Sequence, residues 1–183
     1  MSDIGIVGAE QAPPRVSSRP RLQALDALLD VPASELERRY RSARTPRLGD
    51  VRGDLRGRML AWPMLEQHRW TSGALRAIAG ARGFPWRGKT FRPHDESRGE
   101  GKNRVLSDRI HLFRFETTIG PSRAGDFDAL QLDYDLPENP PLIRLIKDEM
   151  RELEPGLWLG QAYLRTRTRD ALWLYFDLAR AET

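Results

Sequence analysis

The chain has 183 residues, 39% hydrophobic and 31% charged, with 30 Lys and Arg against 26 Asp and Glu for a net charge of +4. That length and balance fit one globular domain with a densely charged surface, not a collagenous, low-complexity or membrane-spanning chain. The absence of cysteine excludes a disulfide framework, a thiolate metal site and a thiol nucleophile.

The basic side is almost entirely arginine, since lysine occurs only at Lys89, Lys102 and Lys147. Guanidinium groups suit bidentate anion contacts, but the excess over acids is small and the charges are interleaved. A solvated surface is therefore expected ahead of a nucleic-acid face. The first residues, "MSDIGIVGAEQAPP", lack a basic leader and have a short apolar stretch, so a cytoplasmic location is expected. The chain is compatible with a homodimer.

Residues 1–20, rich in Ser, Pro, Gly and Ala, read as a disordered arm ahead of a single domain over 21–183. Leu22, Leu25, Leu28 and Leu29 have helical spacing. After Pro32, Ser34 and Glu37 form a capping-box pattern that predicts a second helix near 34–43. The segment 48–62 predicts a turn and a first strand, and 71–83 a helix. "FPWRGKTFRP" reads as a strand bounded by prolines, and the glycine-rich "ESRGEGKNRV" at 96–105 as a loop. Residues 103–120 predict one long strand or a hairpin about Ser107 and Asp108. "FDALQLDYDL" is a strand, "PPLIRLIKDEMREL" a helix, and 156–168 and 170–179 a final pair of strands. Closely spaced strands without a βαβ rhythm predict a mainly β (α+β) fold: an antiparallel, lipocalin-like barrel with N-terminal and covering helices.

Several of these strands have one apolar and one mixed face. The mixed faces, with acids, arginines and aromatics, are expected either to meet solvent or to line a cavity. On the cavity reading, Trp86, Tyr134, Trp158, Tyr163, Trp173 and Tyr175 are the expected ligand-lining residues, with Arg114 as an anion partner. Asp133 and Asp135, about 7 Å apart along one strand face at a rise of about 3.3 Å per residue, are the candidate acid–base pair. Glu116 and His111 are further candidates. His94, Asp95 and Glu96 lack metal-ligand spacing, and no cofactor or metal site is expected.

Three segments together resemble a bacterial family of unknown function with a GXWXG motif and a lipocalin-like (calycin) barrel. Gly53-Asp54-Leu55-Arg56-Gly57 is similar to the G-x-W-x-G start, with Leu55 in place of the tryptophan. Trp86-Arg87-Gly88-Lys89-Thr90-Phe91 resembles a W-x-G-K-x-F segment. Tyr134-Asp135-Leu136-Pro137, followed by Leu142-Ile143-Arg144, resembles Y-D-x-x-P-I, ahead of a strand at Leu159-Gly160-Gln161-Ala162. The resemblance runs from about residue 25 to 175. It implies a barrel holding a small apolar ligand and no particular reaction. The family tryptophan plugs one barrel end, and Trp62 or Trp86 are the residues that could replace it here.

The expected function is binding of a small hydrophobic or amphipathic molecule, such as a lipid, fatty acid or isoprenoid. The alternatives are a metal-independent isomerase, cyclase or lyase in the same cavity, and a nucleic-acid or acidic-partner module.

Overall fold

The computed structural model describes residues 18–63 and 86–180. These residues form a closed barrel of eight antiparallel strands in sequence order, with two helices packed outside. The strands are β1 (Gly53–Ala61), β2 (Trp86–Pro93), β3 (Arg98–Val105), β4 (His111–Pro121), β5 (Asp128–Asp133), β6 (Ile146–Glu154), β7 (Leu157–Arg165) and β8 (Asp170–Arg180). Pairing of β1 with β8 closes the barrel and leaves no open edge. The helices are α1 (Ser18–Leu28) and α2 (Ala33–Ser42). The helix expected at 71–83 and most of the N-terminal arm lie outside the described residues.

Alternation along each strand divides the side chains into two layers. Leu55, Phe91, Phe115, Leu130, Leu132, Met150, Trp158, Phe176 and Leu178 fill the barrel interior. Outside, Leu28, Leu36 and Tyr40 of the helices bury Leu60, Leu159 and Tyr175, while Leu25 covers Leu157 and Ala179. The helices thus cover one flank of the barrel, and the outer faces of β7 and β8 are buried as well as the inner ones.

Three expectations are corrected. The glycine-rich segment expected as a loop is β3, paired on both sides with β2 and β4. Its Gly101 lets the Phe115 ring lie flat against the strand: a Cβ there would stand 2.4 Å from that ring and 2.3 Å from the Thr90 carbonyl oxygen. The segment expected as a helix after Pro141 is only a 3₁₀ turn (Ile143–Leu145) followed by β6. Charged Lys147, Glu149 and Arg151 alternate with inward Asp148 and Met150, yet all five are buried, so the pattern imitates a helix surface. The capping box does not form: α2 starts at Ala33 with Pro32 at its N-cap and no side-chain cap bond. Glu37 turns instead to Arg41, Gln161 and Tyr175. The hairpin reading of 103–120 holds, with the turn at 106–110.

Beneath α1, Asp177 of β8 is 0% exposed. One carboxyl oxygen accepts the Arg58 backbone N–H at 2.8 Å, and the other has no partner among the described residues. Desolvation pushes this carboxyl well above its ordinary value of 3.8, against the pull of Arg58, and nearby Asp26 adds to the rise. A raised folded-state pKa gives stability that is complete below the unfolded value and is lost as pH rises toward the folded one. Wild-type stability is therefore expected to fall from about pH 4 toward neutrality relative to Asp177→Asn, which cannot ionise. Denaturant midpoints of both proteins across that range test this, and parallel curves would refute it.

Candidate functional site

In an up-and-down barrel, alternate connections share an end. The β3–β4, β5–β6 and β7–β8 connections, together with Trp62 after β1, lie at one end; the 3₁₀ turn Leu48–Asp50 enters β1 at the other. Leu48 and Val51 join Trp158 in the core toward that second end. The first end holds a cavity of about 260 Å³, walled by Met59, Val105, Phe113, Ile143, Ile146 and Phe176, with Trp173 at its edge. Trp62 and Trp173 meet edge to face there, with ring centroids 5.2 Å apart. Six exposed apolar side chains sit around this same end: Leu106, Ile110, Leu112, Leu142, Leu145 and Trp173.

The floor of the cavity is polar. Lys89 and Asp148 are 2% and 4% exposed, and the Lys89 ammonium lies 2.9 Å from Asp148 Oδ2. Lys89 also donates to Asn103 Oδ1 at 2.9 Å and to the Tyr134 hydroxyl at 2.5 Å. The rings of Trp86, Phe115, Tyr134 and Phe176 surround Lys89 Nζ, with centroids 5.1–5.5 Å away. Desolvation lowers the Lys89 pKa, opposed by the Asp148 carboxylate. Desolvation, reinforced by that carboxylate, raises the Tyr134 phenol well above its usual value. The site therefore combines an apolar wall with one compact ion-pair network, an arrangement able to orient one small molecule.

Two bulges build the floor. Strict alternation over the four residues Trp86 to Lys89 would put these two side chains on opposite faces. The β2–β3 register shifts between Trp86 and Gly88, and Gly88 has φ 127°, a conformation that suits glycine. Both side chains then reach the same Asn103 oxygen. A second shift, between Lys102 and Asn103, places Phe113 with φ 56° at the cavity wall.

Of the expected site residues, Trp86, Tyr134 and Trp173 line the cavity. Trp158 is buried in the core away from it, whereas Trp62 and Trp86, the expected plugs, stand at the open end. Tyr163 and Tyr175 are corrected to the outer face: their hydroxyls bond to Gln161 and Glu37 near α2. The candidate catalytic groups are not in the cavity. Arg114 pairs with Glu100, Glu138 and Glu116 on the outer wall, not with Asp133 or Asp135. Asp133 binds Lys147 and accepts the Asp135 backbone N–H, while Asp135 pairs with Arg144. His111 is exposed, with its ring Nε2 3.2 Å from the Asp108 carbonyl. For Arg114, Glu116, Asp133 and Asp135 the reason is that the mixed strand faces point outward, and for His111 it is the register shift at Phe113, which takes it off the inward face of Phe115.

Sequence reasoning missed Lys89, Asn103 and Asp148. Lysine is rare in this arginine-rich chain, and Lys89 stands two residues from inward-facing Phe91, which was the available hint. Asp148 lay hidden in the charged run of β6.

A second polar cluster lies outside the barrel, at Glu149. This fully buried carboxylate accepts from Ser122 Oγ at 2.6 Å, Tyr40 OH at 3.0 Å, the Arg123 backbone at 3.0 Å and Gln131 Nε2 at 3.3 Å. It ties α2 to the β4–β5 turn and is an organising contact, not part of the cavity. Among the described residues no cluster of His, Asp and Glu could hold a metal ion, and no helix is long and apolar enough to cross a membrane.

No protein-family sequence pattern and no curated protein matches this chain. In structure it is similar to a solved protein described as "Crystal structure of protein from Thermomonospora curvata". The TM-score is 0.53 at 15% identity, over 90% of this chain and 98% of that one. Likeness at that identity concerns the barrel fold alone, so the chemistry of the cavity rests on this chain's own residues.

Proposed function

We propose that the protein binds one small hydrophobic or amphipathic molecule in the open end of its barrel. The observation that carries this reading is an apolar cavity with a single buried polar network at its base, Lys89–Asn103–Tyr134–Asp148. The exposed apolar rim from Leu106 to Trp173 offers a route for an apolar compound. A barrel of this kind also agrees with the resemblance to the GXWXG-motif family, and we propose that relationship on the same footing.

Native mass spectrometry of the purified protein, followed by solvent extraction, tests the reading. A stoichiometric apolar compound would support it. For protein that emerges ligand-free, titration with apolar probes should quench the fluorescence of Trp86 and Trp173. Absence of both effects would refute ligand binding.

Acid–base catalysis in the same cavity is a second reading. It is favoured by the desolvated Lys89 amine held 2.5 Å from the Tyr134 hydroxyl. Its working groups would be Lys89, Tyr134 and Asp148 in place of Asp133, Asp135, Glu116 and His111. Turnover abolished by Tyr134→Phe at unchanged affinity would mark it. The nucleic-acid reading draws little support, since the guanidiniums of Arg38, Arg41, Arg114, Arg123 and Arg144 are engaged by carboxylates.

A further inference from the structure

We infer that the cavity prefers an apolar molecule ending in a hydroxyl group over the corresponding carboxylic acid, because its polar floor has used every donor and keeps one acceptor free. This deepens, and rests on, the ligand-binding reading above.

An ammonium has three donors and no acceptor. Those of Lys89 go to Asn103 Oδ1, the Tyr134 hydroxyl and Asp148 Oδ2. The indole N–H of Trp86 donates to the same Asn103 oxygen at 3.0 Å. Because Lys89 and Trp86 can only donate, they fix which end of the Asn103 amide faces them. Asn103 Nδ2 then donates to the Tyr134 hydroxyl at 3.1 Å and, at 3.5 Å, to the Phe113 carbonyl. The Tyr134 hydroxyl, accepting from two groups, gives its one proton to Asp148 Oδ2 at 3.1 Å. Each N–H and O–H of the floor thus finds its acceptor within the floor or its wall. Asp148 Oδ1 is buried and has no partner among the described residues.

The consequence is a selectivity opposite to that of a fatty-acid site. Lys89 and Asp148 neutralise each other, so no net positive charge awaits an anion. An entering carboxylate would shed its hydration, find no free donor on the floor and stand near a carboxylate. Arg114, the guanidinium expected as an anion partner, is on the outer wall. A hydroxyl sheds little hydration and has one proton to offer Asp148, which lines the cavity and whose Oδ1 lacks a partner among the described residues. An ether of the same chain carries only an acceptor and falls between. At about 260 Å³ the cavity lies just under the usual range for small-molecule sites of about 300–1,000 Å³, so the body of the ligand is short or compact.

Decanol, decyl methyl ether and decanoate, titrated into the intact protein and followed by tryptophan fluorescence and calorimetry, test the inference. Decanol should bind roughly tenfold or more tightly than decanoate, with the ether between them. Ether binding equal to decanol would overturn the role of Asp148 Oδ1. Decanoate binding as tightly as decanol would overturn the headgroup preference and leave the cavity as a ligand site. If none of the three binds, and no ligand copurifies, the cavity reading falls and the preference with it.

Discussion

Replacing Lys89 by methionine should lower the unfolding free energy by about 3–5 kcal/mol, as expected when one partner of a buried ion pair is removed. Methionine fills much of the lysine stem but cannot donate. Asp148 would then keep one bond from Tyr134 and lose its cation in a site where it is 4% exposed. Asn103 Oδ1 would retain only the Trp86 N–H, and four aromatic rings would lose the cation at their centre. The double variant Lys89→Met, Asp148→Leu should recover most of the loss, because apolar replacement of a whole buried pair is often neutral or stabilising. It should also leave the cavity without its free acceptor, and the preference for decanol should vanish. Urea unfolding with linear extrapolation measures the first effect, and the matched titrations measure the second. A single variant as stable as the double one would show that Lys89 and Asp148 do not act as a pair.

Exchanging Glu149 for glutamine should cost about 2–4 kcal/mol, although the side chain keeps its shape. Both oxygens of Glu149 are saturated with donors: Oε1 by Ser122 and Tyr40, Oε2 by Arg123 and Gln131. Turning either oxygen into an NH₂ group sets donor against donor at a site with 0% exposure. The partly buried Arg123 guanidinium then loses one of its two carboxylate partners and keeps only Asp170. Tyr40→Phe removes only one of these bonds and should cost about 1 kcal/mol. Hydrogen exchange should locate the excess damage in Glu149→Gln at α2 and the 122–127 turn, because those segments meet at this carboxylate. Equal stability losses for the two variants would show that Glu149 is an ordinary acceptor and not the anchor of α2.

How much of this was legible beforehand differs from element to element. β1, β2, β5, β7 and β8 follow from local alternation and from the prolines and turns that bound them. The first helix follows from its leucine spacing, while the second was read from a capping-box pattern that does not form, although the helix does. β3 did not, because Gly99 and Gly101 read as loop until Thr117 and Phe115 of the neighbouring strand are in place beside them. β6 did not, because its charged outward positions read as a solvated helix surface. These positions are covered, and their charges are matched by Asp133, Tyr40, Arg123 and the Ala43 carbonyl.

The site was harder to foresee than the fold. Lys89, Asn103 and Asp148 come from three strands, β2, β3 and β6, and Tyr134 from the segment after β5, and nothing in their spacing along the chain brings them together. Parity alone places Tyr163 and Tyr175 on the faces opposite Ala162 and Leu174, but it leaves open which face is the interior. By itself the amino-acid sequence determined the class of fold: short alternating strands in close succession need an antiparallel sheet, and closing it spares their edges. Tertiary structure alone decided inside from outside. α1 and α2 supplied an apolar cover for the mixed faces, and the bulges at Gly88 and Phe113 reversed local parity, which brought Trp86 to the same oxygen as Lys89 and set Phe113 in the cavity wall.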